Sequence, residues 1–299
     1  MSASAGVPIA VGVSGWSYDD WKGIVYPPGC RDTLRAVASR VDFVEINVSF
    51  YRTPSPDTVR GWVERTADLG TRFTAKLPQR ATHDGVLDAA EIDAFRAALQ
   101  PLADSGRLVA LLAQFSWRLA ADAGAFAQLD AIARAYGGLA PLLLEVRHAS
   151  WRALDAQRTA VELGYRPIHL DYPGADRGFT GPDAGVERVV GIEYFRLHGR
   201  NQKAWFDKDA GRDATYDWLY GADELDEIER RIRAIAALAS AATVMVAANN
   251  HFRGQAMVAA LQLGAWAQGK AVDVPATMLG LYPQLSGVAR ARQRGLFDA

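Results

Sequence analysis

Pairs of polar side chains two residues apart occur near the ends of short apolar segments, where they are candidates for catalysis or ligand binding. One segment carries Glu45 and Asn47, and another carries Glu145 and Arg147. Carboxylates can transfer protons, and the arginine guanidinium binds phosphate or carboxylate oxygens through two parallel hydrogen bonds. Because side chains two apart on a β-strand share a face, each pair points to one side of its segment.

Other apolar segments repeat this pattern. Their polar residues are Ser14, Thr74 with Lys76, Gln114, His169 with Asp171, Arg196 with His198, and Asn249-Asn250 at the end of the last segment. The opposite faces are apolar and must pack on helices, so the polar sets are predicted to face inward together. The predicted ion pairs join an acidic set to a basic set: Glu45, Glu145 and Asp171 with Lys76, Arg147 and Arg196.

The elements that position these residues are eight strand-length apolar segments. They cover residues 9–13, 41–48, 72–77, 107–115, 141–147, 166–172, 194–198 and 243–249. Near-continuous apolar runs of this length are typical of parallel strands that are buried on both faces.

The stretches between these segments mostly predict helices. Ser55 followed by Pro56 is typical of a helix start, and this helix is expected to end near Ala67. Further helices are predicted over 123–136, 223–239 and 252–268, the first of them capped by Asp122. The stretch 174–192 is rich in glycine and lacks helical periodicity, so an irregular connection is expected between the sixth and seventh strands.

Eight strands alternating with helices predict an α/β fold, a single (β/α)8 TIM-type barrel. A doubly wound sheet is less favoured, because the first strand is not followed by a G-x-G-x-x-G phosphate loop. Residues 1–299 are expected to form one barrel domain, with a core over about 9–268 and a C-terminal tail, 269–299, packing on the barrel. The active site of such a barrel lies at the C-terminal ends of its strands.

Composition limits the partners and the location. The net charge is −1, which disfavours binding of duplex nucleic acid. No apolar run reaches the roughly 20 residues of a membrane helix, and the N-terminus lacks a basic signal-peptide region, so a soluble, cytoplasmic protein is expected. The single cysteine, Cys30, cannot form an intrachain disulfide. The oligomeric state is left open.

Several short motifs follow one another over about residues 9–265. They are Gly12-Val-Ser-Gly-Trp-Ser-Tyr18, Val44-Glu-Ile-Asn47, Phe50-Tyr51-Arg52, Lys76-Leu-Pro78, Gln114-Phe115, Glu145-Val-Arg-His148 with Trp151, Arg196-Leu-His-Gly-Arg200 and Asn249-Asn-His251. In this order they resemble the YecE-like family, also called domain of unknown function 72. The resemblance implies a TIM-type barrel and a pocket built from these motifs, and it implies no established reaction.

The first hypothesis is an enzyme, a hydrolase, lyase or isomerase, that performs metal-independent acid/base chemistry on a small anionic or sugar-like ligand. Its candidate catalytic residues are Glu145, His198, Glu45 and Lys76. Its candidate ligand-binding residues are Ser14, Trp16, Asn47, Tyr51, Gln114, Arg147, Trp151, Arg196, Arg200, Asn249 and Asn250. No cofactor is favoured, although a divalent metal is compatible with the residues present.

Other hypotheses about the function stay open. A metal-dependent phosphoester hydrolase, with nucleic acid among its potential substrates, would use Glu45, Glu145, Asp171 and His198 as ligands. A non-catalytic ligand-binding module would carry the same residues. Lys76 is also a candidate for Schiff-base chemistry, although a structural lysine that pairs with Glu45 is the favoured interpretation.

Overall fold

Parallel strands form the centre of the molecule, and helices cover them on the outside. The computed structural model describes residues 6–207 and 209–290, without the side chain of Arg212. The strands are β1 (Ile9–Ser14), β2 (Phe43–Ile46), β3 (Arg72–Lys76), β4 (Leu108–Gln114), β5 (Leu142–Glu145), β6 (Tyr165–Pro167), β7 (His169–Asp171), β8 (Gly191–Leu197) and β9 (Ala241–Ala248).

The helices alternate with these strands along much of the chain. They are α1 (Thr33–Ala38), α2 (Val48–Tyr51), α3 (Pro56–Arg65), α4 (Gln79–Thr82), α5 (Ala89–Asp104), α6 (Ala123–Tyr136), α7 (Leu154–Glu162), α8 (Gln202–Trp205), α9 (Arg212–Thr215), α10 (Ala222–Ala236), α11 (Gln255–Gln268) and α12 (Ala276–Leu281). Five short 3₁₀ helices cover Asp19–Trp21, Ala67–Leu69, Ala149–Arg152, Phe252–Gly254 and Pro283–Gly287 in the described part.

Nine strands in the described residues correspond to the eight that the sequence predicts, because the sixth predicted strand is interrupted at Ile168. The hydrogen-bonded order is β6-β5-β4-β3-β2-β1-β9-β8-β7, and every pair is parallel. β6 pairs with β5, whereas β7 pairs with β8. Between them, the Ile168 N–H donates to the Leu144 carbonyl at 3.0 Å. The interrupted sixth strand thus reaches both edges of the sheet, and the predicted TIM-type barrel is confirmed as nearly closed.

Alternation along the strands separates two apolar clusters. The cluster inside the barrel includes Phe43, Leu112, Leu143, Leu170 and Met245. A much larger cluster joins the opposite strand faces to the surrounding helices. Both clusters are buried, so each strand has a defined inward and outward face.

Several element boundaries differ from the predicted ones for local reasons. The predicted helix 123–136 is found as α6, and the predicted irregular connection contains no helix over 172–190. The last long helix was expected from Phe252 but begins at Gln255, because Arg253 has a φ of 50° and Gly254 a φ of 82°. Left-handed residues of this kind interrupt an α-helix.

The described part of the C-terminal tail contacts the barrel wall. Met278 and Leu285 are buried in the outer apolar cluster, and the Tyr282 hydroxyl donates to the Arg253 carbonyl at 2.7 Å. Residues 291–299 of the predicted tail lie outside the described residues, and the division of the chain into one domain stays a prediction. Across the described part, no helix has the length and apolar character needed to span a membrane.

The close approach of β1 and β2 inside the barrel gives a first prediction. A Cβ added to Gly12 would clash with the carbonyl oxygen of Phe43, its partner in register, and would lie 2.7 Å from two carbons of the Phe43 ring. We therefore expect Gly12→Ala to destabilise the fold by about 1–3 kcal/mol through overpacking, measured by urea denaturation.

The matched control is Gly61→Ala in α3, where an added Cβ meets no atom within 4 Å. Because alanine is a better helix former than glycine, this variant is expected to gain about 0.5–1 kcal/mol. Equal stability of Gly12→Ala and the wild type would contradict the proposed close packing.

Candidate active site

A buried ion-pair network joins the inward faces of three strands near their C-terminal ends. Arg196 of β8 is 1% exposed and lies between Glu45 of β2 and Glu145 of β5, both fully buried. Its Nη2 and Nε donate to the two oxygens of Glu45 at 2.7 and 3.1 Å. Its Nη1 donates to Glu145 Oε2. One guanidinium thus holds two carboxylates on opposite sides of the barrel.

Other neighbours occupy the remaining sites of these carboxylates. Glu45 also accepts hydrogen bonds from the Ser14 hydroxyl and, at 2.9 Å, from the Tyr194 hydroxyl. Glu145 Oε1 pairs with Arg147 and lies 3.2 Å from His198 Nε2. All four carboxylate oxygens therefore have partners, and two arginines balance the two negative charges.

The network keeps both carboxylates ionised. Burial alone would raise the pKa of Glu45 and of Glu145, because a charged group loses its hydration. The Arg196 guanidinium reverses this effect, so the pKa of Glu45 lies below its ordinary value and that of Glu145 lies well below it. In turn, the two carboxylates outweigh burial and raise the pKa of Arg196.

His198 is neutral in this setting. Burial lowers its pKa to about 4, even though Glu145 favours the protonated form. The Asn249 side-chain amide donates to His198 Nδ1 at 3.0 Å, which leaves the ring proton on Nε2, where it faces Glu145 Oε1. The imidazole therefore orients Glu145, and both groups are fully buried beneath the pocket.

A cavity of about 420 Å³ opens at the C-terminal ends of the strands, a volume within the range of small-molecule sites. Its lining residues are Gly15, Trp16, Ser17, Tyr18, Asn47, Val48, Tyr51, Arg52, Trp62, Lys76, Tyr216, Asn249 and His251. Two cationic side chains and two amides are among these described residues, and no carboxylate is. The lining therefore favours anionic or neutral polar ligands.

Aromatic rings form the wall on one side of this cavity. The His251 ring stacks on Tyr18 with centroids 4.5 Å apart and lies 4.9 Å from Tyr216. The buried Trp21 indole donates to the His251 carbonyl at 2.6 Å and fixes the loop after β9 to the loop after β1. Gly15, with a φ of 81°, allows the chain to turn from β1 into this wall.

Lys76 is the ionisable group of β3 that reaches the cavity. Its side chain is mostly buried, and its Nζ lies 4.2 Å from the Phe50 ring centroid. The expected ion pair with Glu45 is not formed, and Nζ has no hydrogen-bond or ion-pair partner among the described residues. The reason is that Arg196, Arg147 and other donors already occupy the carboxylates. Burial, reinforced by the nearby Arg196 charge, lowers the pKa of Lys76 to about 7.

The predicted site residues fall into three groups. Those that line the cavity are Trp16, Asn47, Tyr51, Lys76 and Asn249. Those that form the polar floor beneath it are Ser14, Glu45, Gln114, Glu145, Arg147, Arg196 and His198. Those that lie elsewhere are Trp151, Asp171, Arg200 and Asn250.

The prediction that His169 and Asp171 face the barrel axis is wrong. Leu170 belongs to the inner cluster, so its two neighbours point outward to the helices. Asp171 accepts hydrogen bonds from Arg200 at 2.7 Å and from Arg231 of α10 at 3.0 Å. Arg200 is therefore held in the outer layer and does not line the pocket.

Trp151 and Asn250 also lie outside the pocket. Trp151 is 1% exposed in the outer apolar cluster, where its indole donates to the Leu119 carbonyl at 2.8 Å. Asn250 follows Asn249 and therefore points to the opposite face, where its amide donates to the Trp218 carbonyl at 2.8 Å. Both side chains stabilise loops around the barrel.

The four residues proposed as alternative metal ligands do not converge. Asp171 faces the helices, and the Arg196 guanidinium lies between Glu45 and Glu145. Within residues 6–207 and 209–290, no group of three or more His, Cys, Asp or Glu side chains has an arrangement suited to holding a metal ion. Glu45 and Glu145 instead form ion pairs with arginine side chains.

Several residues of the site were not among the predicted ones, including Tyr194, Trp62 and Arg52. Tyr194 lies two positions before Arg196, so the same alternation that placed Arg196 inward also predicts an inward Tyr194. Trp62 belongs to helix α3 and packs edge-on against Trp16 with centroids 5.1 Å apart. No strand-based pattern marks a helical residue of this kind.

A parallel barrel with a polar pocket at the C-terminal ends of its strands is the arrangement found in TIM-barrel proteins. The chain belongs to the family described as "Protein of unknown function DUF72", whose model matches residues 10–279. The match covers the strands, the polar floor and the pocket, so the expected family relationship is confirmed.

Relatives support this assignment. The chain is 26% identical over 239 residues to the UPF0759 protein YunF of Bacillus subtilis (strain 168), covering 75% of this chain and 83% of that protein. It superposes on a DUF72 family protein from Thermotoga maritima MSB8 with a TM-score of 0.75 and 26% identity, over 87% of this chain and 99% of that one. A DUF72 family protein from Enterococcus faecalis V583 gives 0.72 and 23%, over 89% and 97% respectively, and shows the shared fold.

The network around Arg196 gives a second prediction. We expect Arg196→Met to destabilise the fold at pH 7 by about 3–5 kcal/mol, because two buried carboxylates lose a shared cation. In the wild type the pKa of both carboxyls is lowered, so their stabilising effect is complete above about pH 4.5 and declines as the pH falls. In the variant, burial without the guanidinium raises the pKa of the two carboxyls, so they take up protons as the pH falls. The difference in the free energy of unfolding between wild type and variant should therefore become smaller between pH 7 and pH 4.

Urea denaturation at several pH values measures this change. The control is Arg134→Met, which removes an exposed arginine paired with Asp130 on the same helix face and should shift stability by less than about 0.5 kcal/mol. A deficit that stays constant or widens on acidification would show that Arg196 does not hold the carboxylates ionised.

Proposed function

We propose that this protein is an enzyme that performs metal-independent acid/base chemistry on a small anionic or sugar-like ligand, with Lys76 as the proton-transferring group. One observation carries the proposal: Lys76 lines the cavity, has no carboxylate partner among the described residues, and has a pKa of about 7. A group that titrates near the working pH can both accept and donate protons.

This assignment moves the proton-transfer role away from Glu145 and His198. Glu145 is ionised and fully buried, and His198 is neutral and bonded at both ring nitrogens. Both lie below the cavity lining, so we assign them to positioning. Arg196 and Arg147 hold the carboxylates, and their charges add to the effect of burial, which lowers the pKa of Lys76.

The lining supports an anionic ligand. Arg52 and Lys76 provide two positive groups, and the side chains of Asn47 and Asn249 provide amides. An arginine can bind a phosphate or carboxylate through two hydrogen bonds, and amides can orient hydroxyl groups. A protonated Lys76 would bind the anion, and a neutral Lys76 would accept a proton from it.

The aromatic residues support a ligand with an apolar face. Trp16 and Trp62 form an edge-on pair at the cavity, and Tyr51 is 66% exposed at its margin. Aromatic rings pack well on the C–H face of a sugar ring while its hydroxyls remain bonded to polar groups. A phosphorylated or carboxylated sugar combines both requirements.

Calorimetric titration with inorganic phosphate, ribose 5-phosphate, gluconate and ribose tests this proposal. Gluconate keeps one negative charge between pH 6 and pH 8.5, so we expect its binding to weaken by about tenfold over this range, because protonated Lys76 is lost as the pH passes 7. The two phosphates gain a second negative charge over the same range and are compared with ribose at pH 6 only. Lys76→Met should remove the pH dependence, whereas Lys270→Met, at an exposed site, should retain it. Anion binding that is independent of pH and unchanged in Lys76→Met would overturn the proposal. Binding without turnover of any such compound would indicate a non-catalytic binding module instead.

Stability provides a third prediction, independent of any ligand. The pKa of Lys76 is near 7 in the folded protein and near 10.5 in the unfolded chain, so the unfolded chain binds the proton more tightly between these values. The destabilising contribution of Lys76 should therefore shrink from pH 7 to pH 10. Lys76→Met removes this penalty, and we expect it to be at least as stable as the wild type at pH 7, with the difference narrowing towards pH 10.

Urea denaturation at pH 7 and pH 10 checks this, with Lys270→Met as the exposed control. A lysine retained for stability gives the opposite result, since its removal would destabilise the fold at pH 7. Greater stability with weaker anion binding is the pattern of a residue kept for function.

A further inference from the structure

Lys76 differs from the other described lysines in its surroundings. It is the primary amine that lines the cavity within the described residues, and it is mostly buried, whereas Lys22, Lys203 and Lys270 are exposed. The Phe50 ring lies 4.2 Å from Nζ and provides no proton acceptor comparable to a carboxylate. The amine is therefore placed against a ligand site without a charged partner.

The charges around Lys76 are already balanced without it. Glu45 and Glu145 supply two negative charges, and Arg196 and Arg147 supply two positive ones. An ammonium at Lys76 would add a charge that none of the described carboxylates neutralises. The arrangement therefore favours the neutral amine over the ammonium. The neutral amine is the nucleophilic form of the side chain, since its nitrogen has a free lone pair.

We propose that Lys76 captures the carbonyl group of an aldehyde or ketone as a Schiff base. This inference rests on the proposed function, in which the same cavity binds a small anionic, sugar-like molecule. It narrows that molecule to an open-chain carbonyl compound that carries a phosphate or carboxylate group. The anion would lie near Arg52, and hydroxyl groups would face the amides of Asn47 and Asn249.

The covalent step is balanced without an added oxidant or reductant. The Nζ lone pair forms a bond to the carbonyl carbon, and the carbonyl oxygen leaves as water with the two hydrogens of the neutral amine. The imine nitrogen then takes a proton from solvent, which reaches the open cavity. The resulting iminium withdraws electrons from the neighbouring carbon and assists loss of its proton or cleavage of its carbon–carbon bond.

Borohydride trapping tests this step directly. The wild-type protein is incubated at pH 7 with dihydroxyacetone phosphate or pyruvate, and any imine is reduced with sodium borohydride. We expect one adduct per chain on Lys76, with a mass gain equal to the probe less one oxygen, formed at least about tenfold faster than on any exposed lysine. The preference arises because only about one exposed lysine in 2,500 is deprotonated at this pH.

Two variants sharpen the result. Lys76→Arg keeps a positive charge but has no primary amine, so the adduct should disappear, whereas Lys270→Met should trap the probe as the wild type does. Circular dichroism checks that both are folded. Inorganic phosphate should slow trapping of dihydroxyacetone phosphate, because both anions compete for the cavity.

The outcomes separate this inference from the proposed function. Labelling spread over the exposed lysines, or absent from Lys76, overturns Schiff-base formation. If anion binding still depends on Lys76 and pH in that case, acid/base chemistry in the pocket stands alone. If anion binding is also independent of Lys76, both proposals fail.

Discussion

The double ion pair of Arg196 with Glu45 and Glu145 is the interaction on which the site depends. Moving an ionised carboxylate out of water costs several kcal/mol, and two of them face each other inside this barrel. One guanidinium between them satisfies three of their four oxygens. The three strands that carry these residues must therefore keep their register, because a shift of one residue would turn each charge into the helix layer.

This balance explains why Lys76 behaves differently from a structural lysine. Buried lysines are usually tolerated when a carboxylate lies within reach, but here the arginines have taken both candidates. The charged form of the remaining amine loses much of its hydration, and the Phe50 ring and the two carboxylates offset this loss only in part. The same arginines that stabilise the floor thus lower the pKa of the group above it.

Sequence patterns predicted the barrel and most of the floor because both follow from alternation along strands. Arg196 and His198 are opposed by Phe195 and Leu197, so their inward direction was clear. The sixth strand misled the same reasoning, since an outward carboxylate is stable there only because Arg231 of α10 and Arg200 surround Asp171. Such partners come from distant elements, and local alternation does not reveal them. The missing Lys76–Glu45 pair has the same origin, because competition among donors for one carboxylate is decided in three dimensions.

The site consists of two layers, a buried polar floor and a cavity above it, which differ in burial and charge. The floor is fully buried, charge-balanced and built on strands, so changes there affect folding before they affect chemistry. The cavity above it is lined mostly by loop residues and short helices, with exposed groups such as Tyr51 and Arg52. Lys76 lies at the boundary: its position is set by β3, and its reactivity by charges in the floor. Substitutions in the loops can therefore alter which molecule enters while leaving the amine's reactivity unchanged, which is how a TIM barrel accommodates different substrates on one scaffold.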